Sequence, residues 1–168
     1  MTRFLFPVLV VMLSACSSAP ARTAHARHAP AAEASASAAT DSGADMNDVA
    51  VYALSLSDTP YRYGGNTPES GFDCSGFVRH VYQHTLGLSL PRTSQEMSRV
   101  GEPQKASRLQ PGDLVFYNTR RRAYSHVGIY LGDGKFVHSP RAGSSVRVEN
   151  MNESYWLARY NGARRLIP

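Results

Sequence analysis

Apolar residues recur at helical spacing in two segments of the chain. The first segment predicts a helix over residues 47–57, which Thr59-Pro60 would end, because the residue before a proline disfavours helical backbone. The second begins at Cys74 and predicts a helix that Gly87 would cap. The apolar positions of the two helices are Val49, Val51, Tyr52, Leu54, Leu56, Phe77, Val78, Val81, Tyr82 and Leu86.

Short apolar runs separated by turn residues dominate the second half of the chain. Before them, Thr93 and Glu96 fit a capping box, which predicts a short helix over residues 94–99. The runs are typical of strands in an antiparallel sheet. They cover residues 114–117, 127–131, 135–138, 146–149 and 163–167. Because helices precede the strands, the predicted fold class is α+β, with N-terminal helices packed on a small antiparallel sheet.

Two histidines, His126 and His138, lie in neighbouring predicted strands on either side of Gly132-Asp133-Gly134. Side chains alternate between the faces of a sheet, so the length of the connection decides whether the two imidazoles meet. A strict two-residue turn of Asp133 and Gly134 would separate them. A three-residue loop, or another odd-length connection, would place them on one face, and we predict such a connection.

Cys74 is the strongest candidate for a reactive group, because it lies where a glycine-bounded loop enters the second helix. The backbone amides and the helix dipole at this end favour a thiolate, which predicts a lowered thiol pKa. With His126 as a base and His138 as a third polar group, Cys74 would complete a thiol-hydrolase constellation. A lone cysteine is more often a small buried hydrophobic residue, but the Asp73-Cys74-Ser75 context and the two histidines favour a nucleophile.

Six motifs stand in order within residues 46–168. They are Tyr61-Arg62-Tyr63-Gly64-Gly65, Asp73-Cys74-Ser75-Gly76-Phe77, Leu90-Pro91-Arg92, Pro111-Gly112-Asp113-Leu114-Val115-Phe116, His126-Val127-Gly128-Ile129-Tyr130 and Phe136-Val137-His138. Together they resemble the NlpC/P60 family of papain-like cell-wall peptidases. The tail from residue 151 to 165 further resembles the lipoprotein murein DD-endopeptidases of Gram-negative bacteria. The resemblance implies a papain-like fold and a Cys-His-His mechanism.

The resemblance also implies roles for residues beside the nucleophile. The hydroxyl of Tyr61, with the backbone N–H of Cys74, would form an oxyanion hole. Asp73 and Ser75 would recognise charged groups of the peptide stem, although a helix cap at Asp73 and a first-turn filler at Ser75 fit equally well. Arg92 would either contact a substrate carboxylate or be solvated.

The N-terminus has the pattern of an export signal. Arg3 precedes an apolar run over residues 4–13, which is too short for a membrane-spanning helix. The chain therefore divides into a signal peptide (1–15), a lipidated Cys16 with a disordered Ala/Ser/Pro-rich tether (16–45) and a catalytic domain (46–168). Lipidation rests on resemblance to a lipobox, and an ordinary cleaved signal is the alternative. Ser17 suggests, by analogy, the periplasmic face of the outer membrane.

Cysteine count and charge limit the function classes. The 168 residues contain two cysteines and carry a formal net charge of +5. If Cys16 carries lipid, Cys74 has no intramolecular disulfide partner. An exported basic protein rarely meets nucleic acid, so we expect an anionic wall or lipid surface, or simply a solvated basic face.

The implied activity is hydrolysis of the D-alanyl to meso-diaminopimelyl cross-link of peptidoglycan during wall growth. Cleavage of γ-D-glutamyl-diaminopimelate, LD-carboxypeptidase trimming, acyl transfer and a non-catalytic wall-binding lipoprotein stay open, and the loop over residues 66–70 would decide the bond. Expected partners are peptidoglycan stem peptides, the membrane through the lipid anchor, and an adaptor or regulatory protease. No cofactor or metal is expected, since no phosphate-loop, dinucleotide or His-Glu-x-x-His motif occurs.

Overall fold

The computed structural model describes residues 42–166. The predicted signal peptide, the lipidation site Cys16 and the tether up to residue 41 lie outside the described residues. The helices are α1 (Ser42–Ser55), α2 (Cys74–Leu86), α3 (Ser94–Met97) and α4 (Ser154–Leu157). The strands are β1 (Asn66–Thr67), β2 (Gly71–Phe72), β3 (Glu102–Gln104), β4 (Leu114–Tyr117), β5 (His126–Gly132), β6 (Lys135–His138), β7 (Arg147–Asn150) and β8 (Tyr160–Arg165).

Six strands form one antiparallel sheet in the order β3-β8-β4-β5-β6-β7, and β1 pairs with β2 in a separate hairpin. The predicted α+β class is confirmed. The strands β4 and β6 have the predicted bounds, whereas β5, β7 and β8 differ by one to three residues at their ends. The sequence does not predict β1, β2, β3 or α4.

The sheet is buried on both faces, which explains the uninterrupted apolar run of β4. Leu114 and Phe116 pack with residues of α1 and α2 in one cluster, while Val115 and Tyr117 pack with Trp156 of α4 in another. Because strand side chains alternate, a strand covered on both sides needs apolar residues at every position.

Capping residues fix the ends of the short helices. Gly87 follows α2 in a left-handed conformation (φ 67°), and Thr93 and Glu96 form both hydrogen bonds of a capping box at α3, so both predicted caps are confirmed. The helix α3 is shorter than predicted. The helix α1 begins at Ser42, ahead of the predicted start. Within the described residues, no helix is both long and apolar enough to cross a membrane.

The β5–β6 hairpin has a two-residue turn together with a β-bulge. Gly132 pairs with Lys135 across Asp133 and Gly134, and both turn residues have positive φ. Tyr130, however, pairs with Phe136, so Leu131 is an extra residue in β5. The bulge makes the connection between the regular parts of the strands odd in length. The prediction that the connection is odd in length is therefore confirmed. The odd residue is Leu131 in the bulge, not a third residue in the turn.

Candidate active site

Cys74 is the first residue of α2, and the loop before it holds that position tightly. Asp73 caps the helix by accepting a hydrogen bond from the Gly76 N–H at 2.7 Å. Gly76 packs so closely that a Cβ there would lie 2.0 Å from the carbonyl oxygen of Gly65. The Gly at this position therefore allows the loop before β1 to press against the first turn of the helix.

The sulfur of Cys74 faces the start of β5. The backbone N–H groups of Val127 and Ser75 point at the sulfur, and they favour the thiolate. Although part of the residue is exposed, its surroundings are dense, and burial raises the pKa of the Cys74 thiol, with a further contribution from the Asp73 carboxylate. The predicted lowering of the thiol pKa is therefore wrong, because desolvation outweighs the backbone donors and the positive charge of Arg120.

His126 and His138 lie on one face of the sheet and contact each other directly. Nε2 of His126 is 2.6 Å from Nδ1 of His138, and the two rings are nearly perpendicular. Both side chains are buried, and burial lowers both pKa values, that of His126 especially far. Since Nε2 of His126 is occupied by His138, Nδ1 is the nitrogen left to accept a proton from a thiol.

Glu149 of β7 adds a carboxylate behind the histidine pair. Its Oε1 is 3.7 Å from Nε2 of His138, which is too long for a hydrogen bond, and no described residue forms a hydrogen bond with that buried nitrogen. The side chain of Glu149 is held by Trp156 at 2.8 Å and by Arg147 at 2.6 Å. His138, followed by these two donors, lowers the pKa of Glu149 to about 2.

The carboxylate of Glu149 favours one arrangement of protons on the two histidines. A negative charge facing Nε2 of His138 favours a proton on that nitrogen, which makes Nδ1 of His138 an acceptor. His126 then donates from Nε2, and its Nδ1 has a free lone pair. The row His126–His138–Glu149 can thus hold the tautomer that a general base for Cys74 requires.

Asp73, Ser75 and Arg92 form a network beside the nucleophile. Arg92 donates to both carboxylate oxygens of Asp73, at 3.1 and 2.6 Å, and to the Ser75 hydroxyl at 2.9 Å. Burial raises the pKa of Asp73, but the bonds from Arg92 and Gly76 outweigh it and hold the pKa below its usual value. Asp73 is therefore both a helix cap and the anchor of Arg92, whose guanidinium stays partly exposed.

Two cavities that share Arg120 as a lining residue lie at the candidate site. The Cys74 cavity, of about 330 Å³, is lined by Tyr61, Asp73, Cys74, Ser75 and Arg92 among others. The His126 cavity, of about 470 Å³, is lined by His126, Arg141, Arg147, Glu149, Glu153, Tyr155 and Trp156 among others. Arg120 lines both cavities. The two cavities together are called the cleft below, and Cys74 lines one of them while His126 lines the other.

Five of the six predicted catalytic and substrate-binding residues line this cleft: Tyr61, Asp73, Cys74, Ser75 and His126. The sixth, His138, is fully buried behind His126. Tyr61 lines the same cavity as Cys74, and burial raises the pKa of its hydroxyl while the charge of Arg120 opposes that shift. Sequence reasoning missed Glu149 and the position of Arg120. The position of Glu149 near His138 depends on the register of β7 against β6. The run Arg120-Arg121-Arg122 gives no sign of which arginine lines the site. Among the described residues, no cluster of three or more His, Cys, Asp or Glu side chains could hold a metal ion.

Comparisons with known proteins agree with the family resemblance of the sequence. The family model described as NlpC/P60 family matches residues 58–165, more than half of the chain. Murein DD-endopeptidase MepH of Escherichia coli strain K12 is 44% identical over 111 residues, which cover 64% of this chain and 41% of that protein. Gamma-DL-glutamyl hydrolase of Bacillus subtilis strain 168 is 42% identical over 107 residues, which cover 63% of this chain and 26% of that protein. The chain thus matches less than half of the length of either relative.

The solved structures extend the agreement to the backbone. A crystal structure of an NlpC/P60 family protein from Bacillus cereus ATCC 10987 superposes with a TM-score of 0.68 at 36% identity, covering 73% of this chain and 40% of that one. The predicted papain-like fold is confirmed by this likeness. Because a family model matches residues 58–165 and the backbone is similar to that of a solved family member, the chain belongs to the NlpC/P60 family.

Proposed function

We propose that this protein is a cysteine peptidase that hydrolyses peptide bonds in peptidoglycan. The observation that carries the proposal is the position of Cys74 at the start of α2, with its sulfur against the N–H of Val127, the residue that follows His126 in β5. His126 in turn contacts His138. A thiol, a base with one free ring nitrogen and an accessible cleft are the parts that acyl transfer to sulfur requires.

In the proposed reaction, Cys74 attacks the amide carbonyl while Nδ1 of His126 takes the thiol proton. The carbonyl oxygen becomes an oxyanion, which the Tyr61 hydroxyl and the Cys74 N–H stabilise. His126 then donates the proton to the nitrogen, the C–N bond breaks, and the amine leaves. Water attacks the resulting thioester, His126 accepts a proton from that water, and the thiol is regenerated with release of the acid.

The proposed substrate bond is the D-alanyl to meso-diaminopimelyl cross-link, cut during wall growth. The name and 44% identity of murein DD-endopeptidase MepH support this bond. The name of the gamma-DL-glutamyl hydrolase, at 42% identity, favours a bond to glutamate as the second candidate. Identities this similar do not separate the two, so the bond must be identified from products.

The test is digestion of purified cross-linked muropeptides by the full chain, with products identified by mass spectrometry. We expect dimers to become monomers, and we expect Cys74→Ala to abolish the conversion. Ser107→Ala, in the exposed segment Ala106–Arg108, is the control for effects of mutagenesis and purification and should keep wild-type activity. Cys74-dependent shortening of stems without loss of dimers would move the proposal to LD-carboxypeptidase or γ-glutamyl cleavage. Wall binding without any cleavage would favour a non-catalytic lipoprotein.

We also propose that Cys16 carries lipid and anchors the protein at the periplasmic face of the outer membrane. The apolar run before Leu13-Ser14-Ala15-Cys16 supports this, as does Ser17 after the cysteine. Radiolabelled palmitate should enter the wild-type chain and not Cys16→Ala, and the variant should move from the outer-membrane fraction to the soluble fraction. Equal labelling of both chains would contradict the proposal.

A further inference from the structure

The chemistry assigns a direction to the cleft. The acyl part of the substrate becomes bonded to Cys74, so it must occupy the Cys74 cavity. The departing amine receives its proton from His126, so the rest of the leaving group must extend into the His126 cavity. The residues of the His126 cavity therefore select what is attached to the amine.

The charges of the His126 cavity are unevenly paired. Arg147 donates to Glu149 at 2.6 Å and to the Ser144 hydroxyl at 2.6 Å, so this cation is occupied within the protein. Arg120 and Arg141 form no salt bridge with any residue that the structure describes. Glu153 is the remaining acidic side chain of the cavity. The cavity thus keeps an excess of positive charge for a ligand.

Arg120 has the position that matters most, because it lines both cavities. With the substrate bound in this direction, the scissile bond would cross from one cavity to the other next to Arg120. Its loop is fixed at both ends. The Ser125 hydroxyl accepts hydrogen bonds from the Thr119 and Arg120 N–H groups, at 3.0 and 3.1 Å, and the Tyr124 N–H donates to Asn161 at 2.9 Å. These bonds fix the backbone of the loop, and the exposed guanidinium of Arg120 is then placed to bind an anionic group next to the departing nitrogen.

We infer that the His126 cavity binds a carboxylate carried by the same carbon atom as the departing amine, with Arg120 as its principal ligand; the inference rests on the proposed peptidase function. In the D-alanyl to diaminopimelyl cross-link, the departing amine is on the D-centre of diaminopimelate, whose carboxylate is free. In a γ-D-glutamyl-diaminopimelate bond within a tetrapeptide stem, the carboxyl group beside the departing amine is already in an amide bond. An anion-binding leaving-group cavity therefore favours the cross-link, or a terminal D-alanine, over the γ-glutamyl bond.

The experiment uses two synthetic cross-linked peptides that differ only at the D-centre, one with the free carboxylate and one with the carboxamide. The full chain, Arg120→Gln and Arg121→Gln are compared by kcat/KM on both. Arg121 is the matched control, since it lies in the same loop, loses the same charge on substitution and lines neither cavity. Thermal unfolding of each variant checks that the loop substitutions leave the fold intact.

We expect the wild-type chain to prefer the carboxylate roughly tenfold or more, as a charge-assisted hydrogen bond predicts. Arg120→Gln should reduce this preference to about threefold or less, and Arg121→Gln should keep it. Loss of Arg120 also removes positive charge beside the thiol and slows both reactions, so the ratio between the two substrates is the informative quantity.

Equal cleavage of the two peptides by the wild-type chain, in a Cys74-dependent reaction, would overturn the inference and leave the proposed function intact. An equal loss of preference in Arg120→Gln and Arg121→Gln would overturn it too, because diffuse positive charge would then explain the result. Cleavage of neither peptide would refute the cross-link as the substrate and the inference with it.

Discussion

Replacement of Glu149 by Gln should weaken the general base without altering the nucleophile or the imidazole that takes its proton. The substitution removes the negative charge that lies 3.7 Å from Nε2 of His138 and keeps a side chain of the same shape. An amide oxygen can still accept the 2.8 Å hydrogen bond from Trp156. The change therefore isolates the charge behind the histidine pair.

The distance gives the size of the effect. Two unit charges 3.7 Å apart interact by about 4.5 kcal/mol at an effective dielectric constant of 20. Arg147, at 2.6 Å from Glu149, competes for the carboxylate, and solvent reaches part of the carboxylate. We therefore assign about a third of this interaction energy, or about 1.5 kcal/mol, to the contact between Glu149 and His138. That corresponds to roughly a tenfold lower kcat and a decrease of about one unit in the pKa of the histidine pair.

The assay is the pH dependence of kcat/KM on a cross-linked peptide. Because Glu149 stabilises the protonated pair, its removal should lower the pKa on the acidic side of the profile and lower the plateau. Arg147→Gln is the informative counterpart, since Arg147 lowers the pKa of His138 and also engages Glu149. We expect Arg147→Gln to move the acidic pKa upward. Glu102→Gln, on the exposed strand β3, should change neither quantity.

An unchanged profile in Glu149→Gln, with kcat within about twofold of wild type, would refute the electrostatic argument. Shifts of the same sign in Glu149→Gln and Arg147→Gln would refute it as well, because a general disturbance of β7 would then be the common cause.

Three further predictions concern stability. Burial lowers the pKa values of His126 and His138, so unfolding takes up protons below the ordinary histidine pKa near 6.5. Stability should be complete above that pH and lower by at most about 1.4 kcal/mol per histidine at pH 5.5. Replacement of both histidines by Gln should flatten the dependence of the urea midpoint on pH between about 5.5 and 7.5. Asp113→Ala should cost about 3 kcal/mol in urea unfolding, because the fully buried carboxylate accepts two 2.8 Å bonds from Arg165; a loss under about 1 kcal/mol would contradict this account. Gly76→Ala should lower the melting temperature by roughly 10 °C, since the new methyl group would lie 2.0 Å from a backbone oxygen, and an unchanged melting temperature would show that the loop yields freely.

Local signals predicted those parts of the fold that depend on neighbours in the sequence. Gly87 caps α2, and Thr93 with Glu96 caps α3, because each motif acts within one turn of backbone. The strand β3 could not be predicted in this way. Its residues are largely exposed and include Pro103, and it exists because its backbone pairs with β8, which is distant in sequence.

In the candidate site, too, some features follow from the local sequence and others follow only from the fold. Cys74, His126 and His138 carry the motifs and can be found from the sequence, and the parity argument places the histidines together. The pKa of the thiol and the presence of Glu149 depend on packing and strand register. A helix N-terminus alone predicts a thiolate, but the density of atoms around the sulfur is a property of the whole fold and reverses the direction of the shift.

That reversal determines how the resting site must work. Burial raises the pKa of the Cys74 thiol and lowers that of His126, and both shifts favour a neutral thiol and a neutral imidazole in the free protein. Charge separation is then deferred to the attack on the substrate, when the imidazolium and the oxyanion appear together. Glu149 lies behind the first of these charges, where it faces His138, and Arg120 and Tyr61 lie beside the second. Groups of opposite charge on the two sides of the cleft would therefore act mainly on kcat, because they stabilise charges that exist only during the reaction.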